Sequence, residues 1–358
     1  MLELRAVSHS VAGSPLLDGV SVVFLAGEIS VVLGLSAEER RAASRILRGQ
    51  VRPASGTVRI LSRNPSGRQR IRVMALGAEG ALVEGRTVRS FTERLVRKVA
   101  GAAPGDADLT NALQRAGLEG REDFGLKAPD AELRLRMTLA AALAAKPDVL
   151  VVSDPFGGIA HEGVYRLLDE MTSILLETGA AVIYLASEGR EASVLRGTSV
   201  VMERGHLIQS GSAEDVAGFP VTLSVARAMA HPCLNTMRFE IAARGIRTED
   251  GASFHPPEGL VLPAEGRITL AFRPADLKLE RTSPRAMRVV VRSDGEEIIA
   301  GGQFLRFHSV HGVWRASGAG GPVSTGLMKS VFIEPEKVMA FNSDGHAFVV
   351  ASGPRSDV

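Results

Sequence analysis

The chain has 358 residues, of which 45% are apolar, and a formal net charge of +2. This length predicts about two domains, and the small net charge gives no whole-molecule field that would select an acidic or basic partner. A single cysteine, Cys233, excludes an internal disulfide framework and is typical of a reducing compartment. No apolar run approaches the roughly 18 residues that a membrane-spanning helix needs, so we expect any membrane association to be peripheral.

Apolar periodicity predicts alternating strands and helices up to about residue 215. The predicted strands are residues 2–7, 16–24, 29–33, 57–61, 149–153 and 180–185, followed by a hairpin of residues 200–202 and 206–209. The predicted helices are residues 42–48, 87–117 with a break at 101–105, 132–145 and 164–177. This alternation favours an α/β domain with a mostly parallel sheet.

The pattern changes near residue 236, where short β-like runs separated by glycine turns begin. These runs are residues 268–272, 287–292, 297–300, 303–307, 312–316, 331–333, 338–341 and 347–350. Regularly spaced short strands favour a small barrel or sandwich. We therefore predict a second, all-β domain.

A phosphate-binding pattern with most of its key residues replaced follows the predicted strand 29–33. The segment Gly34-Leu35-Ser36-Ala37-Glu38-Glu39-Arg40-Arg41 lies between a strand and a helix, which is the setting of the Walker A motif G-x-x-x-x-G-K-[ST]. Gly34 keeps the first glycine. Glu39 stands at the second glycine, Arg40 at the lysine and Arg41 at the hydroxyl residue that holds magnesium. The layout is that of a nucleotide-binding domain without the groups that handle ATP.

The same segment contains a helix-start signal. Ser36 and Glu39 form the S-x-x-E pattern of a capping box, which predicts that Ser36 caps a helix from about Ala37 to Arg48. A carboxylate about 4 Å from a phosphate repels it by roughly 4 kcal/mol at an effective dielectric near 20, whereas a helix N-terminus attracts an anion by about 0.3–1 kcal/mol. The alternative, weak nucleotide binding through Arg40 or Arg41, stays open.

Five fragments occur in a characteristic order along most of the chain. They are residues 2–8, 45–56 (RILRGQVRPASG), 144–150 (AAKPDVL), 219–235 with a P-x-x-N ending, and 272–277 (FRPADL). In this order they resemble the nucleotide-binding subunits of ABC transporters. The closer resemblance is to the carbohydrate-uptake class, which includes maltose, glycerol-3-phosphate and glycerol importers.

The resemblance implies a fold and a domain plan. Residues 1–235 would form an α/β P-loop domain of the ABC type, with a helical subdomain at about 79–135 that faces the permease. Residues 236–358 would form a small all-β, OB-like accessory barrel. Phe91, Leu95 and Val99, spaced by four, could line the permease groove or could instead belong to the core.

The motifs that handle ATP in this family differ systematically here. The altered positions are Val11 at the adenine-stacking aromatic, Ala78 near the Q-loop glutamine, Pro129-Asp130-Ala131-Glu132-Leu133 at the signature, Ser153-Asp154 at the Walker B Asp-Glu, Ala160 at the D-loop aspartate and Ser187 at the switch histidine. Asp154 keeps a carboxylate at the position of the catalytic base, although it could equally cap the turn before Pro155.

These substitutions limit the chemistry that the resemblance implies. Magnesium needs hard oxygen ligands, but Arg41 is a cation and Ser153 a neutral hydroxyl, so we expect no magnesium site. Ser187 cannot replace histidine as a charge-sensitive contact to phosphate. We therefore expect weak or absent ATP binding through Gly34, Ser36, Arg40 and Arg41, and an inactive Asp154.

The resulting expectation is a catalytically degenerate ATP-binding subunit of an ABC importer for a sugar or polyol, such as a glycerol-like compound. It would pair with a competent second ATP-binding subunit as a heterodimer, and dock on transmembrane permease subunits at the cytoplasmic face of the inner (plasma) membrane. The alternatives are a non-catalytic regulatory or interaction protein, and an active ATPase with unusual motifs. Ten arginines between Arg40 and Arg72 interleave with few aromatic residues, so we do not expect nucleic-acid binding.

Overall fold

The computed structural model describes residues 1–11, 13–60, 71–77, 86–127, 129–159, 161–231, 233–242, 245–248, 253–254, 266–299, 302–318 and 324–348. The chain forms two compact units, Met1–Val216 and Ala217–Val358. The division falls before the segment 217–235, which we predicted to belong to the first domain. The short helix Leu223–Met229 of this segment packs through Ala226 against Ala271 and Phe341 of the second unit, which explains the earlier division.

The first unit alternates strands and helices as predicted. Its strands are β1 Leu2–Val11, β2 Ser14–Phe24, β3 Ile29–Leu33, β4 Ser55–Ile60, β5 Val73–Gly77, β6 Val149–Ser153, β7 Ala181–Leu185, β8 Thr198–Glu203 and β9 His206–Ser212. Its helices are α1 Ala37–Leu47, α2 Val88–Ala100, α3 Asp106–Arg115, α4 Ala131–Ala145, α5 His161–Glu177, α6 Gly189–Leu195 and α7 Ala213–Gly218, the last of which ends just past the division.

The main sheet of this unit has the strand order β5-β6-β7-β3-β8-β9. All pairs are parallel except β8 with β9, which confirms the predicted mostly parallel sheet. Every residue of β3, β6 and β7 is buried, as expected for parallel strands covered on both faces. The carboxyl ends of these three neighbouring strands therefore meet at one edge, where the loops that follow them come together.

A second, antiparallel sheet of order β2-β1-β4 shares a hydrophobic core with the main sheet and α1. Leu4 and Phe24 from the small sheet, Ile46 from α1 and Ile183 from β7 belong to this core. The apolar face of α1 is thus fixed beneath the strands that flank it. This packing sets the direction in which the start of α1 points.

Helices α2 and α3 pack on α4, and Leu95, Leu113 and Met137 are buried in these helices. They cover the region that we predicted as a helical subdomain, and α4 continues beyond it to Ala145. Among the described residues, no helix is both long and apolar enough to span a bilayer.

The second unit is rich in antiparallel strands. Its elements are α8 Leu223–Met229, β10 Asn235–Ala242, β11 Gly245–Thr248, β12 Ser253–Phe254, β13 Gly266–Phe272, β14 Leu277–Lys278, β15 Met287–Ile299, β16 Gly302–Ser309, β17 Gly312–Ser317, β18 Met328–Ile333 and β19 Met339–Phe341. They form two five-stranded sheets of order β12-β11-β10-β13-β19 and β14-β18-β15-β16-β17.

The two sheets share one core. Trp314 of β17 packs edge-on against Phe272 of β13, with ring centroids 5.2 Å apart, and its indole N–H donates to the carbonyl of Thr236 at 3.0 Å. This arrangement agrees with the predicted all-β domain, while the OB-like class stays a prediction.

Three of the predicted runs in this unit differ from the structure in extent. The runs 287–292 and 297–300 are not separate, because a bulge between Ser293 and Glu296 lets one strand, β15 Met287–Ile299, continue past Gly295, whose φ is +94°; residue 300 lies outside the described residues. Of the predicted run 347–350, Ala347 forms an isolated bridge with Phe341, and residues 349–350 lie outside the described residues.

The start of β10 is tied to β17 by a buried amide. The Asn235 side chain donates to the carbonyl of Arg315 at 2.8 Å and accepts from its N–H at 2.8 Å, and Asn235 is only 1% exposed. The last residue of the P-x-x-N linker pattern therefore completes the backbone pairing of Arg315.

We predict that Asn235→Ala lowers the free energy of unfolding by about 2–4 kcal/mol, since it leaves a buried N–H and carbonyl unpaired. Chemical denaturation followed by tryptophan fluorescence measures this, because Trp314 lies beside the bond. Gln303→Ala, which removes an exposed amide bonded to Glu296, is the matched control and should change stability by less than about 0.5 kcal/mol. Equal effects of the two substitutions would contradict the assignment.

Candidate functional site

The sequence-predicted site residues follow three neighbouring strands at the carboxyl edge of the main sheet. Gly34 follows β3, Asp154 follows β6 and Ser187 lies just beyond β7, and β7 pairs with both β3 and β6. The topology therefore brings together the positions that the sequence suggested.

Gly34 is retained for a backbone reason. Its φ is +86°, and a Cβ at this position would lie 2.0 Å from the carbonyl oxygen of Met202 in β8. Only glycine tolerates both the positive φ and this close approach. The remaining glycine of the motif is therefore explained by strand packing, without reference to phosphate.

The start of α1 is closed by the chain itself. Ser36 is the N-cap, its Oγ accepts from the N–H of Glu39 at 3.3 Å, and the Glu39 carboxylate accepts from the N–H of Ser36 at 2.7 Å. The predicted capping box is confirmed. Helix α1 begins at Ala37 as predicted and ends at Leu47, with Arg48 as its C-cap.

The two arginines after the box have separate roles. Arg40 donates from Nη1 to the carbonyl of Leu35 at 2.8 Å, so its side chain folds back onto the loop, while Arg41 is exposed. Residues 37–41 are all helical, and their φ angles are negative. The inward-turned N–H groups that cradle a phosphate need residues at positive φ, so this segment does not have that shape.

Asp154 lies in a strained turn. Its φ is +49°, a region that Asp and Asn enter more readily than other non-glycine residues. The turn is closed by the main-chain carbonyl of Asp154, which accepts from the N–H of Gly157 at 3.5 Å. The Asp154 carboxylate lies over the same turn, with Oδ2 3.2 Å from the position that a Cβ of Gly157 would take, although Asp154 as a whole is exposed. Both alternatives for this carboxylate, a turn cap and a residue at the catalytic-base position, therefore stay open.

The loop that carries Ser187 is held by a buried carboxylate, Glu191 of α6. Glu191 accepts from the hydroxyl of Tyr184 at 2.7 Å, from the N–H groups of Ser187 and Glu188 at 2.7 and 2.9 Å, and from Ser187 Oγ at 3.2 Å. Glu191 is 8% exposed, and these donors satisfy its charge. Sequence reasoning missed this residue, because its only local signal was a Glu three positions after the N-cap Glu188.

The helix start at the signature position is also self-capped. The Asp130 carboxylate accepts from the N–H of Leu133 at 2.7 Å. Glu132 pairs with Arg136 at 2.9 Å, and Arg136 also reaches Glu170 at 3.0 Å. Both carboxylates at the signature position are therefore engaged within the chain.

The other substituted positions have plainer environments. Val11 packs against the core of the first unit, and Ser153 is buried at the end of β6. Ala78 and Ala160 lie outside the described residues. Within the described part of the chain, no three or more His, Cys, Asp and Glu side chains are grouped so as to hold a metal ion.

The proposed permease groove on α2 is mostly core. Leu95 is 1% exposed, and Phe91 and Val99 are half-buried, so the alternative that this stripe belongs to the core is favoured. The exposed apolar side chain of this region is Phe124, at 53%, with the guanidinium of Arg121 5.3 Å from its ring centroid.

Comparisons with known proteins agree with the fold and with the resemblance to ABC transporters. No family model matches the chain. The spermidine/putrescine import ATP-binding protein PotA of Mesoplasma florum is 22% identical over 79% of this chain and 81% of its own length. The sulfate/thiosulfate import ATP-binding protein CysA of Mesorhizobium japonicum is 28% identical over 74% and 77%.

Among solved structures, cbiO1 of Clostridium perfringens, part of the ABC transporter complex cbiONQ, aligns with a TM-score of 0.50 and 20% identity over 61% of this chain and 90% of its own. This likeness supports the ABC-type nucleotide-binding fold. Together, the relatives connect the chain to ATP-binding subunits of ABC importers.

Both tyrosines of the chain should titrate abnormally. Burial, then the charge and hydrogen bond of Glu191, raise the pKa of Tyr184 well above its ordinary value. Partial burial raises the pKa of Tyr165 against the opposing effect of Arg190, whose guanidinium lies 3.3 Å from the Tyr165 ring centroid. Because the protonated forms are favoured in the folded state, their contribution to stability is full below the unfolded pKa of about 10 and falls as the pH rises past it.

We therefore predict little tyrosinate absorbance from the folded chain near pH 10, and an ordinary titration in urea. Tyr184→Phe and Tyr165→Phe assign the two signals. A folded wild-type chain that titrates like the unfolded one would show that the Tyr184–Glu191 bond is absent in solution.

Proposed function

We propose that this chain is a non-hydrolysing subunit of the ABC importer ATP-binding type. It pairs with a competent ATP-binding subunit as a heterodimer and docks on transmembrane permease subunits at the cytoplasmic face of the inner membrane. The relatedness to import ATP-binding proteins supports the assembly role. The single observation that carries the loss of catalysis is the closed capping box at the start of α1.

The electrostatics of the first turn support weak or absent ATP binding. Glu38 and Glu39 lie in the first turn of α1, and Arg40 is bonded to the Leu35 carbonyl rather than presented outward. A phosphate at this position would have to displace the Glu39 carboxylate from the Ser36 N–H. The residues present therefore do not fit an ATP phosphate group.

The residues at the magnesium position of the motifs are poor ligands for this cation. This cation prefers several oxygen ligands in octahedral geometry, whereas the equivalent positions carry Arg41, Ser153 and Asp154. One carboxylate and one buried hydroxyl beside a cation are a weak donor set. We propose that the chain holds no catalytic magnesium and that Asp154 is inactive as a base.

The partner side of an ABC site is also altered. At the signature position, Asp130 caps α4 and Glu132 pairs with Arg136. Negative side chains at this helix start would oppose a partner's nucleotide. Docking is then the task left to the chain, because it depends on apolar and polar surface rather than on phosphate ligands.

The cargo that we propose is a sugar or polyol, on the strength of the P-x-x-N linker and the FRPADL segment. The relatives' names refer to polyamines and to sulfate or thiosulfate, so the cargo has to be tested directly. Uptake of labelled glycerol, maltose, putrescine and sulfate by cells with and without the chain would decide it.

The alternative is a non-catalytic regulatory or interaction protein that takes no part in transport. Co-purification of the full chain with permease and ATP-binding subunits encoded nearby distinguishes the two. A stable complex with the permease supports the importer role. A chain that never associates with a permease supports the alternative.

We predict that the isolated chain neither binds MgATP measurably nor hydrolyses it above background. The variant Glu39→Gly/Arg40→Lys/Arg41→Ser restores the motif residues and opens the capping box, so it should gain nucleotide affinity by at least about tenfold. Fluorescent ATP-analogue titration and phosphate release measure the two properties.

The control for this gain is Arg45→Lys, a change on the exposed face of α1 that leaves the box intact. Turnover by the wild-type chain that drops on Asp154→Asn would refute the proposal that the site is inactive. Nucleotide binding by the wild-type chain equal to that of the restored variant would refute the account of the loop.

Docking should depend on the exposed aromatic residue of the helical region. Phe124→Asp keeps a folded chain because Phe124 is exposed, but it should reduce co-purification with the permease at least tenfold, since it replaces an apolar contact by a charge that the interface would desolvate. The matched control is Leu176→Asp, at an exposed leucine of α5. A folded Phe124→Asp chain that still co-purifies would show that the permease binds elsewhere.

A further inference from the structure

One face of the sheet β14-β18-β15-β16-β17 is solvent-facing and carries an unusual combination of side chains. Direct cross-strand pairing joins Met328, Arg292, His308 and Val313 in one row across four strands. The neighbouring residues Val291, Phe307 and Trp314 are buried in the core. Because side chains alternate along a strand, the row lies on the outer surface, which we call the Arg292 face.

The Arg292 face exposes large apolar side chains. Met328 is 66% exposed, Val290 51% and Val313 42%. Leu327, directly before β18, and Val310, in the turn between β16 and β17, are 54% and 64% exposed. Exposed apolar residues that gather on one face mark binding surfaces more often than scattered ones do.

The charged side chains around this row differ in whether they have a partner. Every carboxylate of β15 has a partner within the sheet: Asp294 with Arg306 and His308, Glu296 with Gln303, and Glu297 with Arg315. Arg292, in the centre of the row, is exposed and has no ion pair or hydrogen bond of its side chain to any described residue. Arg292 is therefore an unpaired cation on the same face as the exposed Met328 and Val290, and its other neighbours on that face, His308 and Asp294, are bonded to each other.

We propose that the Arg292 face binds a protein segment that carries a carboxylate between apolar side chains. An arginine–carboxylate pair forms two parallel, charge-assisted hydrogen bonds, and Met and Arg are enriched in the cores of protein interfaces. Arginine is also among the residue types that carry most of the binding energy near the centre of an interface. This inference does not depend on the proposed transport role.

A nucleic acid fits this face less well. Single-stranded nucleic acids bind through stacking on aromatic side chains. Among the described outward residues of β15, β16, β17 and β18, Phe332 and His308 are the aromatic rings, and the His308 ring is bonded to Asp294. The face therefore lacks a platform for successive bases.

The test is photocrosslinking in cells that make the full chain. Benzoylphenylalanine in place of Met328 should give a covalent adduct with another protein, and mass spectrometry should place the link beside an Asp or Glu flanked by apolar residues. Arg292→Glu should lower the adduct yield at least about tenfold, because it places like charges opposite each other. Replacing the mapped carboxylate by arginine should then restore the adduct to the Arg292→Glu chain.

The matched control is Arg267→Glu, at an exposed arginine of β13 in the other sheet of the same unit, and it should leave the adduct unchanged. An adduct that survives Arg292→Glu would overturn the proposal. So would an adduct to a second copy of the chain, to lipid or to nucleic acid, or the absence of any adduct when the chain is folded.

Discussion

The reciprocal hydrogen bonds between Ser36 and Glu39 occupy the start of α1, which lies at the carboxyl edge of the main sheet of the first unit. Our account of this site depends on them. A helix start leaves N–H groups without helical partners, and an external anion binds there when the chain does not supply its own acceptor. Here the chain supplies both a hydroxyl and a carboxylate. The direction of α1 is fixed by the core beneath it, so the helix still points at the position where a phosphate would lie, but its first turn is already satisfied and carries negative charge.

Two other carboxylates of this unit also accept hydrogen bonds from main-chain N–H groups. Asp130 satisfies the start of α4, and Glu191 satisfies the main chain around Ser187 while it holds the Tyr184 hydroxyl. Each of these carboxylates is engaged in the chain's own hydrogen bonds, so its charge stabilises local structure. These hydrogen bonds within the chain stabilise the loops and helix starts of the ABC-type fold. We propose that its remaining function is carried by surfaces: the helical region around Phe124 in the first unit and the Arg292 face in the second.

The central part of the fold could be predicted because its strands are uninterrupted apolar runs. Residues 29–33 and 149–153 were predicted with the bounds that β3 and β6 have, and Ser36 was identified from a local pattern. Other features depend on distant residues. The bulge in β15 was missed because Ser293-Asp294-Gly295 is also a turn signal, and only pairing with β16 shows that the strand continues. Glu191 was missed because its role requires Tyr184 and the loop between them. Gly34 was interpreted as part of a phosphate motif, and its close approach to Met202 of β8 gives a second reason for a glycine that only the fold shows.

A crystal structure of the isolated chain grown with saturating MgATP tests the central claim most directly. The account predicts that Ser36 and Glu39 keep their reciprocal hydrogen bonds, that α1 still begins at Ala37, and that no nucleotide is bound between Gly34 and Arg41. An open loop, with Ala37 or Glu39 at positive φ around a bound phosphate, would contradict it.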